Sequence, residues 1–573
     1  MKEKGNPLLQ IIRNVNDAVV VVLFLAMTIT VIIQVFFRFV IQSPLRWTEE
    51  LARYLMIWLV LMASAIAMRN RSHLQVDVLT SALPQKPKRI LTAIVDLLTI
   101  VFLCIMTYFG FKVVQSTTAQ TSPAMQIPMA LIYAAFPTGG ALMIMEHMLG
   151  FLFICILCLF LIGAPIFVAL GMGTTLSIML EGNFPLVLVP QRMFAGLDSW
   201  PIMAIPMFML AGNLMDQGGM SKRIVDFASA SIGFVKGSLA MVAVLASMIF
   251  AAISGSATAG TAAIGSIMTP AFKEKGYNMS FVTVLLSAAG SIGPIIPPSI
   301  LMVLIGYSTG ASVGQLFLGG AIPGVMIGVA LMVYSYIHAS RGGDAYIQTT
   351  KFDPKEVRRT MFSALPGLGL PIIIIGGIIS GIFSATEAAA VAVVYGFLVG
   401  MFIYKEITLK DLPGIFVKSA QTAAGIMIIT GCAYIFAWFI TAKQLPQLLI
   451  QVMNTFITSK TAFLIFLNIA LFLVGMFMES FSAIIVLMPI LFPVATAYGI
   501  DPIHFGVIVC INLAIGYVTP PYGATLFVAC GLTGKSVREV FPFVIPTILA
   551  MLVVLIIVTY LPQTYLWLPQ LMG

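Results

Sequence analysis

The sequence predicts an all-α polytopic membrane protein, and three observations carry that prediction. Of 573 residues, 60% are hydrophobic and 9% charged, with a mean hydropathy of +1.05. That balance leaves too little polar surface for a soluble globule and places nearly the whole chain in a bilayer. Long apolar runs such as 19–37 and 90–114 match the length of a membrane-crossing helix, whereas a membrane barrel would show short alternating segments. The third observation is a pair of glycine- and proline-broken apolar segments, GSIGPIIPPS at 290–299 and AIGYVTPPYG at 514–523. Adding 223 carries Pro270 onto Pro493, Gly276 onto Gly499, Gly293 onto Gly516, Pro297 onto Pro520 and Pro298 onto Pro521, so the chain contains an internal duplication. A helix is broken within hydrocarbon only where protein or a water-filled cavity satisfies the freed carbonyls. Broken helices at corresponding points of two repeats point to a transporter's ion and substrate site.

The elements follow in order. Residues 1–147 hold four candidate spans, 17–40, 50–68, 90–114 and 128–146, and form a four-helix small domain. Lys2, Lys4 and Arg13 precede a first apolar run too long for a cleavable signal peptide, so it reads as a retained helix. Arg69, Arg71, Lys86, Lys88 and Arg89 crowd the loop between the second and third spans, while 116–127 carries no Lys or Arg, which puts the amino terminus and that basic loop inside. Trp47, Glu49, Glu50 and Arg53 then mark the outer end of the second span, as an interfacial anchor or a helix-to-helix contact. Residues 148–573, about twice the repeat offset, form the large transporter domain, with repeats at roughly 148–345 and 360–573. The polar stretch 341–359 is the linker between them. The run 149–180, interrupted by Gly163 and Pro165, is a kinked helix or two short ones.

The net charge of +9 suits cytoplasmic loops against anionic lipid and calls for no nucleic-acid partner. Cysteines 104, 155, 158, 432, 510 and 530 mostly sit in apolar runs and read as packing residues; the CILC spacing of Cys155 and Cys158 lies between Phe and Leu on a membrane helix, poor ground for metal or redox use. ACGLTGKS at 529–536 imitates a phosphate-binding loop, but Ala529 stands where the first glycine belongs and no strand precedes it. With no ATPase module, energy comes from an ion gradient or another subunit.

Candidate chemistry gathers around the breaks. SGSATAGTAAIGS at 254–266 precedes the first break and MESFSAI at 478–484 the second. Short apolar segments flanked by Gly, Ser and Pro suit re-entrant hairpins, whose tips facing a broken helix offer carbonyl and hydroxyl oxygens to a dehydrated hard cation; sodium is the natural candidate. The plainer reading of the small residues is close helix packing. Glu387 and Glu479 lie at membrane depth, where a charge costs about 3 kcal/mol even on insertion scales. Glu479 belongs to the second hairpin, while Glu387, beside Ser384 and Thr386, equally suits a helix end. Asp501 and His504 follow Gly499 in a turn-like GIDPIHFG and read as a loop outside the ion site.

Taken together these segments resemble a tripartite ATP-independent periplasmic (TRAP) transporter with its small (Q-type) and large (M-type) membrane subunits fused. The resemblance rests on LRWTEELARYLMIWLVLMASAIAMR and SPAMQIPMALIYAAFP in the small domain. In the large domain it rests on SGSATAGTAAIGSIMTPAF, GSIGPIIPPS, FSATEAAAVAVVYG, GIDPIHFGVI and NLAIGYVTPPYGATLFVA. It implies an inverted-repeat, elevator-type fold in a bacterial inner membrane, moving against a scaffold to which the small domain is attached. It further implies sodium-driven uptake of an organic anion delivered by a periplasmic substrate-binding protein, with a small carboxylate or dicarboxylate favoured. By motif position, one sodium site involves Ser254, Ser256, Gly293, Ile296 and Pro298, its pseudo-symmetric counterpart Gly516, Thr519 and Pro521, and the substrate lies near Ser256, Ser299 and Glu479. Many relatives carry Asp and a nearby Pro at the second hairpin where this chain has Glu479, Ser480, Phe481 and Ser482, a difference that bears on the pocket. A stand-alone sodium-coupled anion carrier leaves the small domain unexplained, and a proton-pumping respiratory subunit would need a relay of buried ionisable residues that the sequence does not supply.

Overall fold

A computed structural model describes residues 7–43, 45–69, 85–143, 166–181, 184–341, 352–442, 447, 450, 453, 457 and 459–572. The expected domain junction near Met148, the Gly163 and Pro165 interruption, Cys155 and Cys158, Arg71 and most of the 341–359 linker lie outside the described residues. The described chain is helical, with one isolated antiparallel bridge between Thr121 and Pro128. Among these residues ten helices are long and apolar enough to cross a membrane.

One compact unit comprises Met1–Pro206 and Leu409–Leu445. It contains α1 (Pro7–Phe39), α2 (Arg46–Arg69), α3 (Gln85–Ser116), α4 (Met129–Tyr133, within an apolar helical stretch Met129–Met143), α5 (Ile166–Glu181), α6 (Leu188–Leu197) and α16 (Leu412–Ala442). This unit is larger than the small domain read from sequence. The reason is visible in α2, which is buried on nearly every side from Met56 to Met68 and so needs neighbours all round. The helices α1 and α16 supply them. Asn16 Nδ2 donates to the Met62 carbonyl at 3.1 Å, and Arg69 pairs with Asp17 at 2.9 Å. Phe24 meets Phe416 edge-on.

The amino-terminal end of α2 organises the 120–128 loop. Glu50 is 3% exposed, yet its Oε2 accepts the Ala124 and Met125 amides at 2.7 and 3.0 Å and its Oε1 accepts the Tyr54 hydroxyl at 2.7 Å. A buried carboxylate is tolerable only with such a set of donors.

The other unit comprises Met207–Thr408 and Pro446–Gly573. The helix α7 (Ala204–Gln217) leads into it. Its first half holds α8 (Met220–Ile232), α9 (Ser238–Ser254), α10 (Ala257–Glu274), α11 (Met279–Gly290), α12 (Ile300–Thr309) and α13 (Val313–Arg341), followed by α14 (Pro354–Ile379) and α15 (Ala385–Leu398). Its second half holds α17 (Lys460–Phe477), α18 (Ser480–Ala497), α19 (Pro502–Gly516), α20 (Ala524–Thr533), α21 (Val537–Tyr560) and the short α22 (Gln563–Leu566). The duplication reaches element boundaries: 257 + 223 = 480 and 274 + 223 = 497, so α10 maps onto α18 residue for residue. In the same register α11 begins after Asn278 and α19 after Asp501, each side chain capping its own helix start. Gly276 and Gly499, at φ +70° and +68°, make the matching turns before them.

The halves interlock. The post-break helix α12 packs on α18 and α19, and its counterpart α20 packs on α10 and α11, so each half lies against the other half's elements. Buried hydroxyl pairs fasten α11 to α20, Thr283 with Thr533 at 2.7 Å and Ser287 with Thr525 at 2.9 Å.

Glu50→Ala should lower stability by about 1–3 kcal/mol because it strands the donors the carboxylate satisfies. Glu49→Ala, in an exposed pair with Arg53, should change it by less than about 0.5 kcal/mol. Thermal unfolding in detergent micelles checks the order, and equal midpoints for the two variants would refute it.

Candidate ion and substrate site

The first tip is Gly255, between α9 and α10. Its φ of +62° closes the turn, and a Cβ there would strike the Pro298 carbonyl oxygen. Ser256 caps α10, its hydroxyl accepting the Ala259 amide at 3.4 Å, and its own amide points to Ser254 Oγ at 3.4 Å. Opposite lies the first break, 291–299, buried throughout, with a cis Pro297–Pro298 bond. A Cβ on Gly293 would lie 2.9 Å from the Ser256 carbonyl carbon and oxygen, so only glycine lets tip and break touch. Ser254, Ser256, Gly293 and Pro298 are thus brought together, and Ile296 backs onto Gly324 of α13.

The hydrogen bonds of this break leave particular oxygens free. The Gly290 carbonyl takes the Gly293 amide, and the Ile292 carbonyl takes the Ile295 and Ile296 amides. The Pro294 carbonyl accepts both the Ser299 hydroxyl and, at 3.0 Å, the Cys510 thiol of α19. Among the described residues no hydrogen bond reaches the carbonyls of Gly293, Ile296 or Pro298. Ser299 is fully buried; its one donor is committed to Pro294 and it accepts the Met302 amide at 3.2 Å, so here it braces the break.

The second tip has no glycine. Met478 and Glu479 are extended, and Glu479 caps α18 through Oε2, which accepts the Ser482 amide at 3.2 Å. Its Oε1 accepts the Tyr517 hydroxyl at 3.0 Å. The carboxylate is 4% exposed and forms no ion pair among the described residues. The Ser482 hydroxyl beside it is buried and has no hydrogen-bond partner among the described residues. Tip and break meet where Gly475 and Gly516 touch, a Cβ on Gly516 lying 2.5–2.7 Å from the Gly475 backbone, and where the Tyr522 amide donates to the Met476 carbonyl at 3.0 Å.

This break, with its own cis Pro520–Pro521 bond, is better satisfied than the first. The Gly516 carbonyl accepts the Thr519 amide, the Thr519 carbonyl accepts the Gly523 amide, and the Thr519 hydroxyl donates to the Ile515 carbonyl at 2.8 Å. Of Gly516, Thr519 and Pro521, only Pro521 has a carbonyl that no hydrogen bond reaches among the described residues. Among the described residues no hydrogen bond joins Glu479 to Ser256 or Ser299.

The remaining candidates resolve as structure. Glu387 completes a capping box, its Oε2 accepting both the amide and the hydroxyl of Ser384 at 2.8 Å. Asp501 caps α19, and His504, expected in a loop, lies in the first turn of that helix with Nδ1 2.6 Å from the Tyr565 hydroxyl. The phosphate-loop imitation is the last turn of α20 and the short turn to α21, with Gly534 left-handed, Ser536 capping and Lys535 paired to Glu539. Sequence reading missed Tyr517, Cys510 and the Asn512–Asn468 bond at 2.7 Å. The asparagines were detectable as amides within apolar helices; the other two needed their partners in view.

Among the described residues no three His, Cys, Asp or Glu side chains cluster as a metal site. The oxygens at the first tip and break are carbonyls and hydroxyls, and the second tip adds the Glu479 carboxylate, a set that fits a hard cation such as sodium.

Comparison with known proteins gives the family. Residues 153–564 match the family described as tripartite ATP-independent periplasmic transporter, DctM component, and 27–154 match its DctQ component. The chain is 37% identical over 556 residues to the isethionate TRAP transporter permease protein DctMQ of Oleidesulfovibrio alaskensis, covering 90% of this chain and 87% of that one. It is 40% identical over 409 residues to the C4-dicarboxylate TRAP transporter large permease protein DctM of Pseudomonas aeruginosa, covering 71% and 94%. It is 29% identical over 602 residues to the sialic acid TRAP transporter permease protein SiaT of Haemophilus influenzae, covering 96% and 97%. Permeases of this kind are inner-membrane proteins, not enzymes, and take an organic anion from a periplasmic substrate-binding protein. The chain belongs to the tripartite ATP-independent periplasmic transporter family, with the DctQ and DctM components joined in one polypeptide.

Proposed function

We propose that this permease couples inward sodium movement to uptake of a small carboxylate or dicarboxylate, with the two helix tips acting as re-entrant hairpins in an elevator-type movement. The observation that carries the sodium assignment is the set of carbonyls on Gly293, Ile296 and Pro298 that no hydrogen bond reaches among the described residues, in the break that meets the Ser254–Ser256 tip. Buried carbonyls without donors are costly in a membrane, and a dehydrated cation offsets that cost. Gly516, Thr519 and Pro521 form the second site in this reading, which the bound ion would complete by drawing the Gly516 and Thr519 carbonyls from their present partners. The substrate lies between the tips, nearest Ser256 and Glu479. An ionised Glu479 repels an anion, so its part in binding requires a cation or proton between them. Ser299 contributes by holding the Pro294 carbonyl.

A second reading of the substrate has its own support: the fused relative that matches 90% of this chain is named for isethionate. Sodium bound at the tips orders the pocket, so sodium and substrate must raise each other's affinity by the same factor.

Uptake of labelled succinate, isethionate and sialic acid into proteoliposomes, with and without an inward sodium gradient and the cognate binding protein, tests this. Uptake is expected only with both; transport indifferent to sodium would end the coupling assignment. Ser256→Ala should raise the sodium concentration for half-maximal uptake roughly tenfold, as loss of one oxygen ligand. An unchanged sodium dependence would remove Ser256 from the site. Gly516→Ala should abolish transport and lower the unfolding midpoint, whereas Gly531→Ala, with open space around it, should do neither.

A further inference from the structure

The helix pair α6 and α7 is bent by 65° at residues 198–200. Its counterpart in the second repeat is not: 188 + 223 = 411 and 217 + 223 = 440, and α16 runs unbroken from Leu412 to Ala442. Where the first repeat has Asp198, Ser199, Trp200 and Pro201, the second has Gln421, Thr422, Ala423 and Ala424. Pro201 lacks the amide that would continue α6, which accounts for a break but not for an acid at its edge. Asp198 is the residue capping the carboxyl end of α6, where the helix dipole disfavours negative charge.

The cation that offsets this comes from the small domain. Arg53 Nε lies 2.9 Å from Asp198 Oδ1, an ion pair without the alignment of a hydrogen bond, and both side chains are about a quarter exposed. Arg53 is braced by Glu49 at 3.2 Å, one turn along α2, next to the buried Glu50 clamp. A second contact reinforces the first, Tyr133 packing on Phe194 of α6 with ring centroids 4.6 Å apart and the rings tilted by 39°. Beyond the bend, α7 carries the chain across Pro206 and Met207 into the unit that contains both breaks.

We propose that Arg53 is a positioning residue for transport: by holding Asp198 it fixes the bend through which the chain enters the transporting unit, so the small domain acts on the transport step itself. The proposal rests on the transport reading above, and its test carries a readout that needs neither sodium nor substrate. The full chain is purified as Arg53→Ala, Asp198→Asn, the double variant and Arg53→Lys. Amide hydrogen exchange is followed across 196–206, and uptake is measured with the binding protein in proteoliposomes.

Each single variant should speed exchange at 196–206 and lower the maximal uptake rate roughly two- to thirtyfold. The sodium concentration for half-maximal uptake should stay unchanged. The double variant should be no slower than the slower single, because the two act as one unit, and Arg53→Lys should keep most of the rate. Unchanged exchange in Arg53→Ala, losses that add in the double variant, or a shift in sodium dependence would each overturn the proposal. If sodium proves not to be the coupling ion, the exchange experiment still decides the role of Arg53.

Discussion

Backbone groups inside hydrocarbon must find partners, and this molecule interrupts its helices twice where partners are scarcest. The arrangement of the transporting unit follows from that constraint. At the first break, Ser299 and the Cys510 thiol both serve the Pro294 carbonyl. One of those donors belongs to the same repeat and the other to its partner repeat, so the break is completed only in the assembled pair. The hydroxyl pairs between α11 and α20 repeat the theme at a second level. What the protein withholds is as telling as what it supplies: among the described residues no hydrogen bond reaches the carbonyls of Gly293, Ile296 and Pro298, in the break that Gly255 and Gly293 bring against the first tip.

The second tip solves the same problem with different chemistry. A carboxylate stands at the helix start where the first repeat has a serine, since 256 + 223 = 479, and Tyr517 from its break donates to that carboxylate. The pseudo-symmetric sites are therefore alike in backbone path and unlike in charge.

The repeat and the paired breaks were legible in the sequence, because duplication and proline are local signals. The helix starts were not: Asn278 was passed over, and Asp501 read as part of a loop although it caps a helix. Long-range partnerships were not legible either. Glu50 reads as one of several charges near an interface until Ala124 and Met125, more than seventy residues on, present their amides to it. In the same way α16, more than two hundred residues beyond the small domain, packs against α2, which hydropathy could only mark as apolar all round. The bend at 198–200 was not read from the sequence: Pro201 is a local signal for a break, but the pairing of Asp198 with Arg53 appears only in the fold.

The interlock of the two halves bears on how the protein is made. The residues that complete the first break, Cys510 and the α18 and α19 surface beneath α12, emerge from the ribosome about 200 residues after the break itself. At ordinary synthesis rates that is an interval of roughly 10–40 s. Throughout it the first half must reside in the membrane with the Pro294 region lacking its cross-repeat donor. A nascent half-transporter thus passes through a stage in which the Pro294 carbonyl has Ser299 alone and α12 has yet to meet α18 and α19.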